Sequence, residues 1–222
     1  QVVRGEPLVR VDNLSKRYHL KKGGLFGKPN VLTAVDQVSF DVMGGECLGL
    51  VGESGSGKTT VALSILRAHL PSDGTISIRG GDGEWQDVSA LEGEALLAYR
   101  RRMQLVFQDP FSSLNPRMSI NEIIREPLTI HGSGTMDERD AKVRELMGRV
   151  GLDPKFLRRY PHSLSGGQRQ RVGIARALAL RPDVLVCDAP ESALDVSVQA
   201  QVLHLLADLR DELGLTYMFV SH

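Results

Sequence analysis

Residues 47–60 read CLGLVGESGSGKTT, and this stretch decides the fold. Cys47–Val51 is a continuous apolar run, which is typical of a parallel strand buried on both faces. Gly52–Thr59 fits the pattern G-x-x-x-x-G-K-[ST] at every fixed position, and Thr59–Leu66 predicts a helix. A strand, a glycine-rich turn and a helix in this order predict a phosphate-binding loop, because glycines let backbone N–H groups point inward around phosphate oxygens.

The chemistry of this loop assigns roles to two of its residues. The Lys58 ammonium is expected to reach the β- and γ-phosphates of a nucleotide, and the Thr59 hydroxyl to bind Mg²⁺. A second Mg²⁺ ligand is Asp188, which follows the apolar run Val184–Cys187. A carboxylate at the carboxyl end of a buried strand, beside a phosphate loop, is where such a ligand is needed. Taken alone, Asp188 would be read as a turn or helix cap.

The segment Leu164–Gln168 reads Leu-Ser-Gly-Gly-Gln and carries a third signal. Ser165 is a good N-cap for a helix over Gln168–Leu180, and the two glycines allow close backbone approach to an anion. By itself this pattern is also that of an ordinary capped helix.

The remaining pattern predicts an α/β protein. Leu8–Val11, Val38–Val42, Thr75–Ile78, Met103–Val106 and Thr216–Val220 are strand-like, and residues 21–30 read as a surface loop. Residues 116–180 have helical periodicity, and apolar residues from Val198 to Leu213 share one helical face, which Gly214 would end. Alternating strands and helices predict a mostly parallel sheet covered on both sides.

Composition excludes some classes of protein. Lys+Arg and Asp+Glu both number 27, so the chain has no basic excess and we expect no nucleic-acid partner. Cys47 and Cys187 each lie in an apolar run, which predicts buried free thiols and no disulfide framework. No apolar stretch approaches the length of a membrane span, so a membrane role would require partner subunits.

With these motifs in order, the sequence resembles the ATP-binding subunits of ABC transporters. The resemblance implies a P-loop NTPase fold of ABC type, with an antiparallel N-terminal β region and a helical subdomain at about 110–180. It implies one ATP-binding domain over residues 1–222, whose usual C-terminal part would lie beyond residue 222. The cofactors that it implies are ATP and Mg²⁺.

The resemblance also assigns site residues. Tyr18 would stack on adenine, Gln108 would sense Mg²⁺ and the membrane subunit, and His222 would contact the γ-phosphate. The residues expected to bind ATP are Tyr18, Gly52, Ser54, Gly55, Ser56, Gly57, Lys58, Thr59 and Thr60. Those expected to serve an ATP held by a partner domain are Ser165, Gly166, Gly167, Gln168 and Asp195. The metal ligands would be Thr59, Gln108 and Asp188.

A closer resemblance is to the oligopeptide, dipeptide and nickel importer branch, carried by Phe107–Pro110, Ser113–Arg117 and Ala193–Gln201. The run Leu164–Arg171 is similar to the second of the two ATP-binding subunits, or to one half of a tandem chain. The resemblance implies a second ATP-binding domain, two permease subunits and an extracytoplasmic substrate-binding protein as partners. The expected location is peripheral, on the cytoplasmic face of the bacterial inner membrane.

One position departs from the family pattern. The residue after Asp188 is usually a glutamate that polarises the attacking water, and here it is Ala189. This predicts impaired hydrolysis, whether by an engineered replacement or natural degeneracy; Glu191 keeps a carboxylate two positions on. The alternatives are a soluble ABC-type ATPase and a non-hydrolysing ATP-binding regulatory module.

We also expect the segment from Gln108 to about Ile124 to contact a membrane subunit, with Phe111, Leu114 and Met118 as apolar anchors. The alternative is that these three residues belong to the core of the helical insert.

Overall fold

The computed structural model describes residues 2–20, 30–107, 113–188 and 196–221, with the side chains of Leu20, Asn30 and Val196 left out. Its eight strands are β1 Pro7–Leu20, β2 Asn30–Met43, β3 Cys47–Val51, β4 Asp73–Arg79, β5 Trp85–Asp87, β6 Met103–Val106, β7 Val184–Asp188 and β8 Thr216–Ser221. The α-helices are α1 Lys58–Ile65, α2 Gly93–Arg102, α3 Ile120–Ile130, α4 Met136–Arg149, α5 Gly166–Leu178 and α6 Val196–Leu213. Gln108, Phe111, Ala189, Glu191, Asp195 and His222 lie outside the described residues.

The strands form two sheets of different kinds. One is antiparallel, with the order β2-β1-β4-β5, and the other is parallel, with the order β3-β8-β7-β6. This confirms the predicted parallel core and N-terminal antiparallel region. The antiparallel strands are longer than the sequence pattern indicated, because register shifts in β1 interrupt the apolar–polar alternation while the pairing continues.

Apolar side chains lie on both faces of the parallel sheet and form two clusters. Alternate side chains of β7 point to opposite faces of the sheet and belong to different clusters. Leu185 and Cys187 pack with the helices α3 to α6, and Val184 and Val186 pack with α1 and the antiparallel sheet. The helix that follows the phosphate loop and the helices of the segment between β6 and β7 therefore lie on opposite faces of one sheet.

Two expectations about burial are wrong. β3 is the edge strand of the parallel sheet, and Val51 at its end is 75% exposed, so this strand is not buried on both faces. Cys47 is exposed, whereas Cys187 is buried and its burial raises the pKa of its thiol. A continuous apolar run does not distinguish a central strand from an edge strand.

The predicted helices agree with the observed ones to within about two residues. Ser165 caps α5, and Gly214 follows α6 with a φ of 68°, which is the left-handed conformation that ends a helix. In the described residues between β6 and β7 there are helices and turns but no strand. None of the described helices is long and apolar enough to cross a membrane.

Candidate functional site

The loop between β3 and α1 has the backbone shape that its glycines predict. Gly55 and Gly57 have φ angles of 81° and 91°, in the left-handed region. A Cβ atom at Gly57 would lie 2.1 Å from the carbonyl oxygen of Ala34 in β2. Glycine is therefore required there by both conformation and space. Gly57 is the N-cap of α1 and offers no side-chain oxygen, so the first N–H groups of this helix have no cap from it.

Lys58 is the most unusual residue of the loop, because its charge is buried. Lys58 is only 8% exposed. Its ammonium donates hydrogen bonds to the carbonyl oxygens of Gly52 and Glu53, each at 2.6 Å. A third, longer hydrogen bond of 3.3 Å goes to the Ser56 hydroxyl. Within the described residues Lys58 has no carboxylate partner. A buried cation needs a counter-charge, so the loop is suited to a polyanion.

The parallel register brings the other predicted positions to the same edge of the sheet. Val51, which leads into the loop, pairs with Ser221 of β8, and Asp188 of β7 pairs with Val220. Asp188 is half-buried there. The carboxyl ends of parallel strands share one edge of a sheet. This edge therefore holds the phosphate loop, Asp188 and the ends of the strands that precede Gln108, Ala189 and His222. Thr59 is exposed and Thr60 half-buried in the first turn of α1.

Tyr18 reaches this region through the antiparallel sheet. It is half-buried and pairs with Leu32 of β2, two residues from Ala34, which touches Gly57. Its ring makes an edge contact with His69 at 6.1 Å between centroids, and the Lys16 ammonium lies 5.2 Å from the ring centre.

The Leu-Ser-Gly-Gly-Gln segment has a different construction. Gln168 N donates to Ser165 Oγ at 3.3 Å, and Ser165 N donates to Gln168 Oε1 at 3.0 Å, so the start of α5 is closed by a capping box. Gly166 and Gly167 are half-buried. A Cβ atom at Gly167 would lie 2.7 Å from Val198 Cγ1 in α6. The lack of a side chain at Gly167 therefore lets α5 and α6 pack closely at this point.

Sequence reasoning missed Arg176 in α5. Its guanidinium donates to Ser113 O at 2.9 Å and lies 5.8 Å from the centre of the Phe107 ring. Phe107 and Ser113 lie on either side of the segment that contains Gln108. Burial lowers the pKa of Arg176. The signal was a lone charge in the apolar run Val172–Leu178.

The expectation that Leu114 is an apolar anchor for a membrane subunit is wrong. Leu114 is 2% exposed and belongs to the helical core, and Met118 packs against that core. The third residue, Phe111, lies outside the described residues. The alternative that these residues belong to the core is confirmed for Leu114. Met118 is only partly buried, and its contact with a membrane subunit stays a prediction.

Comparison with known proteins decides the family. The sequence model of the family described as ABC transporter matches residues 35–192. The chain belongs to the ABC transporter family. It is 48% identical over 218 residues to the oligopeptide transport ATP-binding protein AppF of Bacillus subtilis, covering 98% of this chain and 65% of that protein. It is 47% identical over 216 residues to OppF of Streptococcus mutans, covering 97% and 67%.

A solved structure has the same fold. The ATP-binding cassette MJ0796, described as a dimeric post-hydrolysis state bound to ADP and Pi, superimposes with a TM-score of 0.81 at 31% identity, covering 97% of this chain and 88% of that one. The ABC-type fold and the resemblance to oligopeptide transport ATP-binding proteins are thus confirmed. The chain spans about two thirds of the length of the two curated relatives.

Proposed function

We propose that this chain is the ATP-binding and ATP-hydrolysing motor domain of an importer for peptides or similar small solutes. The observation that carries the proposal is Lys58, a buried ammonium bonded only to uncharged groups of its own loop within the described residues. The phosphates of a nucleoside triphosphate would supply the negative charge that neutralises this ammonium. The names of the Bacillus and Streptococcus relatives support peptides as cargo.

The residues divide into roles around that nucleotide. The N–H groups of Gly52–Gly57 and the Lys58 ammonium would bind the phosphates, and Tyr18 would stack on the adenine. Thr59, Asp188 and Gln108 would hold Mg²⁺, which when bound neutralises charge on the phosphates. His222 would contact the γ-phosphate. The chemistry is phosphoryl transfer to water, achieved by positioning and charge stabilisation.

The second phosphate-cradling element would serve another ATP. α1 and α5 pack on opposite faces of the parallel sheet, so the loop of Lys58 and the Ser165–Gln168 segment extend from different faces. We infer that Ser165, Gly166, Gly167, Gln168 and Asp195 face the ATP of a second ATP-binding domain. The dimeric state of MJ0796 supports this arrangement.

The assembly that we propose contains this second domain, two permease subunits and an extracytoplasmic substrate-binding protein. Closure of the two ATP-binding domains on ATP and their opening after hydrolysis would switch the permease between two access states. The chain would then lie on the cytoplasmic face of the bacterial inner membrane without entering the bilayer.

Removing the loop cation tests nucleotide binding. Lys58→Ala should weaken MgATP binding at least tenfold in calorimetric titration, because the buried ammonium no longer faces the phosphates. Lys155→Ala is the matched control, since Lys155 is exposed and paired with Asp153. Equal affinities for all three proteins would contradict the proposed site.

Hydrolysis at this chain's own site is proposed to be slow, because Ala189 has no group to hold or deprotonate water. A positioned acid–base residue contributes about 10²- to 10⁴-fold in rate. Ala189→Glu should therefore raise the single-turnover rate by about that factor in the assembled complex, with the partner's phosphate-loop lysine replaced. A fast rate without this change that falls on Glu191→Gln would assign the base to Glu191.

Ala189 also favours the second candidate function, a non-hydrolysing ATP-binding regulatory module. ATP binding and turnover by the assembled complex, measured with the partner site left intact, separate the two functions. If the assembled complex with an intact partner site binds ATP without turning it over, the regulatory function replaces the motor function.

A further inference from the structure

A cavity lies on a part of the fold that does not include the phosphate loop. It has a volume of about 220 Å³ and lies between the last turn of α2, the connection from α3 to α4, and the residues after α5. Arg101 and Arg181, which line it, come just before β6 and β7. It therefore lies toward the amino-terminal edge of the parallel sheet, whereas the phosphate loop follows the carboxyl end of β3.

Positive charge dominates the walls of this cavity. The cations are Arg101, Arg139, Lys142 and Arg181, and the carboxylate of Glu138 is the lone negative side chain among the described residues that line it. Glu138 accepts hydrogen bonds from Thr135 N and Oγ, and Lys142 is paired with Glu145 at 2.9 Å. Arg101 and Arg181 have no ion-pair partner within the described residues. In a chain with no net charge, this excess is local.

A polar group at the cavity lacks a partner. Ser133 Oγ is buried and makes no hydrogen bond within the described part of the chain. The backbone of Ser133 is satisfied, because its N–H donates to Leu128 O at 2.9 Å and its carbonyl accepts from Arg139 Nε at 2.8 Å. A buried hydroxyl without a partner costs free energy, and an anion oxygen in the cavity would provide one.

The positive potential extends to the end of α3. Burial and the charge of Arg101 together lower the pKa of His131, the C-cap of α3. A larger neighbouring cavity of about 500 Å³ shares Lys142 and Arg181 but is also lined by Glu145, Asp183 and Glu212. Arg4 and Arg149 also line the larger cavity, so its cations are nearly balanced by these three carboxylates. The smaller cavity has four cations against the one carboxylate of Glu138 among its described residues, and its positive excess is therefore larger.

We propose that this cavity binds a phosphate-bearing anion, held by the guanidinium groups of Arg101 and Arg181 and by the Ser133 hydroxyl. Guanidinium groups recognise phosphate oxygens through paired, charge-assisted hydrogen bonds. The phosphate comes either from a free phosphate compound or from the headgroup of an anionic lipid, and both present the same oxygens to this site.

Binding is tested with inorganic pyrophosphate in calorimetric titrations without Mg²⁺. Lys58→Ala protein is used throughout, because this removes the phosphate-loop cation from the measurement. We expect Arg101→Gln and Arg181→Gln each to weaken pyrophosphate binding at least fivefold, and Ser133→Ala to weaken it about threefold. Arg144→Gln is the matched control on α4: Arg144 is exposed and lies outside the cavity, so this change removes the same charge elsewhere.

Arg101 also lies in the last turn of α2, where a cation stabilises the helix dipole. That role changes the unfolding midpoint but not pyrophosphate affinity, so both are measured. Absence of pyrophosphate binding, or equal weakening by Arg144→Gln, would overturn the proposal. Co-sedimentation with phosphatidylglycerol vesicles, compared with phosphatidylcholine, identifies the source. If the protein binds phosphatidylglycerol vesicles and Arg181→Gln abolishes that binding, the ligand is a lipid headgroup. If the protein binds pyrophosphate but not these vesicles, the ligand is a free phosphate compound.

Discussion

Two helix starts in this chain carry glycines and serines, yet they are built in opposite ways. At α1 the N-cap is Gly57, which provides no side-chain oxygen, and a buried Lys58 bonds to the loop carbonyls. At α5 the N-cap is Ser165, and a capping box with Gln168 satisfies the first turn from within. The first N–H groups of α1 are therefore left for a ligand of this chain's own loop, whereas the first turn of α5 is already satisfied within the chain when no ligand is bound.

The glycines of the two regions also differ in the atom with which an added Cβ would clash. Gly57 avoids a backbone carbonyl, that of Ala34, whereas Gly167 avoids a side chain, that of Val198. Backbone cannot yield without moving β2, but a side chain can repack. We therefore expect substitutions at α1 to cost more than those at α5.

The largest effect is expected at Gly57. Gly57→Ala should lower the free energy of unfolding by about 3 kcal/mol or more and abolish ATP binding, because the new Cβ meets a carbonyl oxygen in a left-handed conformation. Gly55→Ala is the matched control: its φ is also positive, but no atom lies within 4 Å of its added Cβ. It should cost only about 1–2 kcal/mol. Equal losses in chemical denaturation would show that the close approach at Ala34 is unimportant.

The sequence predicted the open helix start well, because its pattern is local. Strand, turn glycines, lysine and helix lie within twenty residues, and the structure has them at the predicted places. What could not be predicted depends on distant pairing. Strand order makes β3 an edge and exposes Cys47, and the contact of Gly167 with Val198 joins residues that are far apart in sequence. The role of Arg176 likewise depends on where Phe107 and Ser113 come together.

An intermediate effect is expected at Gly167. Gly167→Val should destabilise the protein by about 2 kcal/mol, because overpacking forces α5 and α6 apart at Val198. Val198→Ala in the same chain should restore part of this loss, measured as the coupling energy of a double-mutant cycle in urea. ATP affinity at Lys58 should stay unchanged, since α5 lies on the other face of the sheet. Purely additive effects would show that the two side chains do not compete for space.

The smallest effect on stability is expected at Ser165. Ser165→Ala removes the side-chain acceptor for Gln168 N, and loss of an N-cap costs about 1 kcal/mol. Ser165→Asp should retain the cap, because aspartate is also a preferred N-cap residue. If the segment has only a capping role, unfolding by urea should separate these two variants and nothing else should.

The proposed role of Ser165 in a partner's ATP site predicts that Ser165→Ala and Ser165→Asp behave alike in a second measurement. Both should then weaken ATP-dependent association of the two ATP-binding domains, measured by analytical ultracentrifugation, since alanine offers no donor and aspartate brings a negative charge toward the phosphates. Both should leave MgATP affinity of the isolated chain unchanged, because its own loop lies elsewhere. If Ser165→Asp associates as well as the unsubstituted protein, the Ser165 segment is a helix cap and the two helix starts do not cooperate across domains.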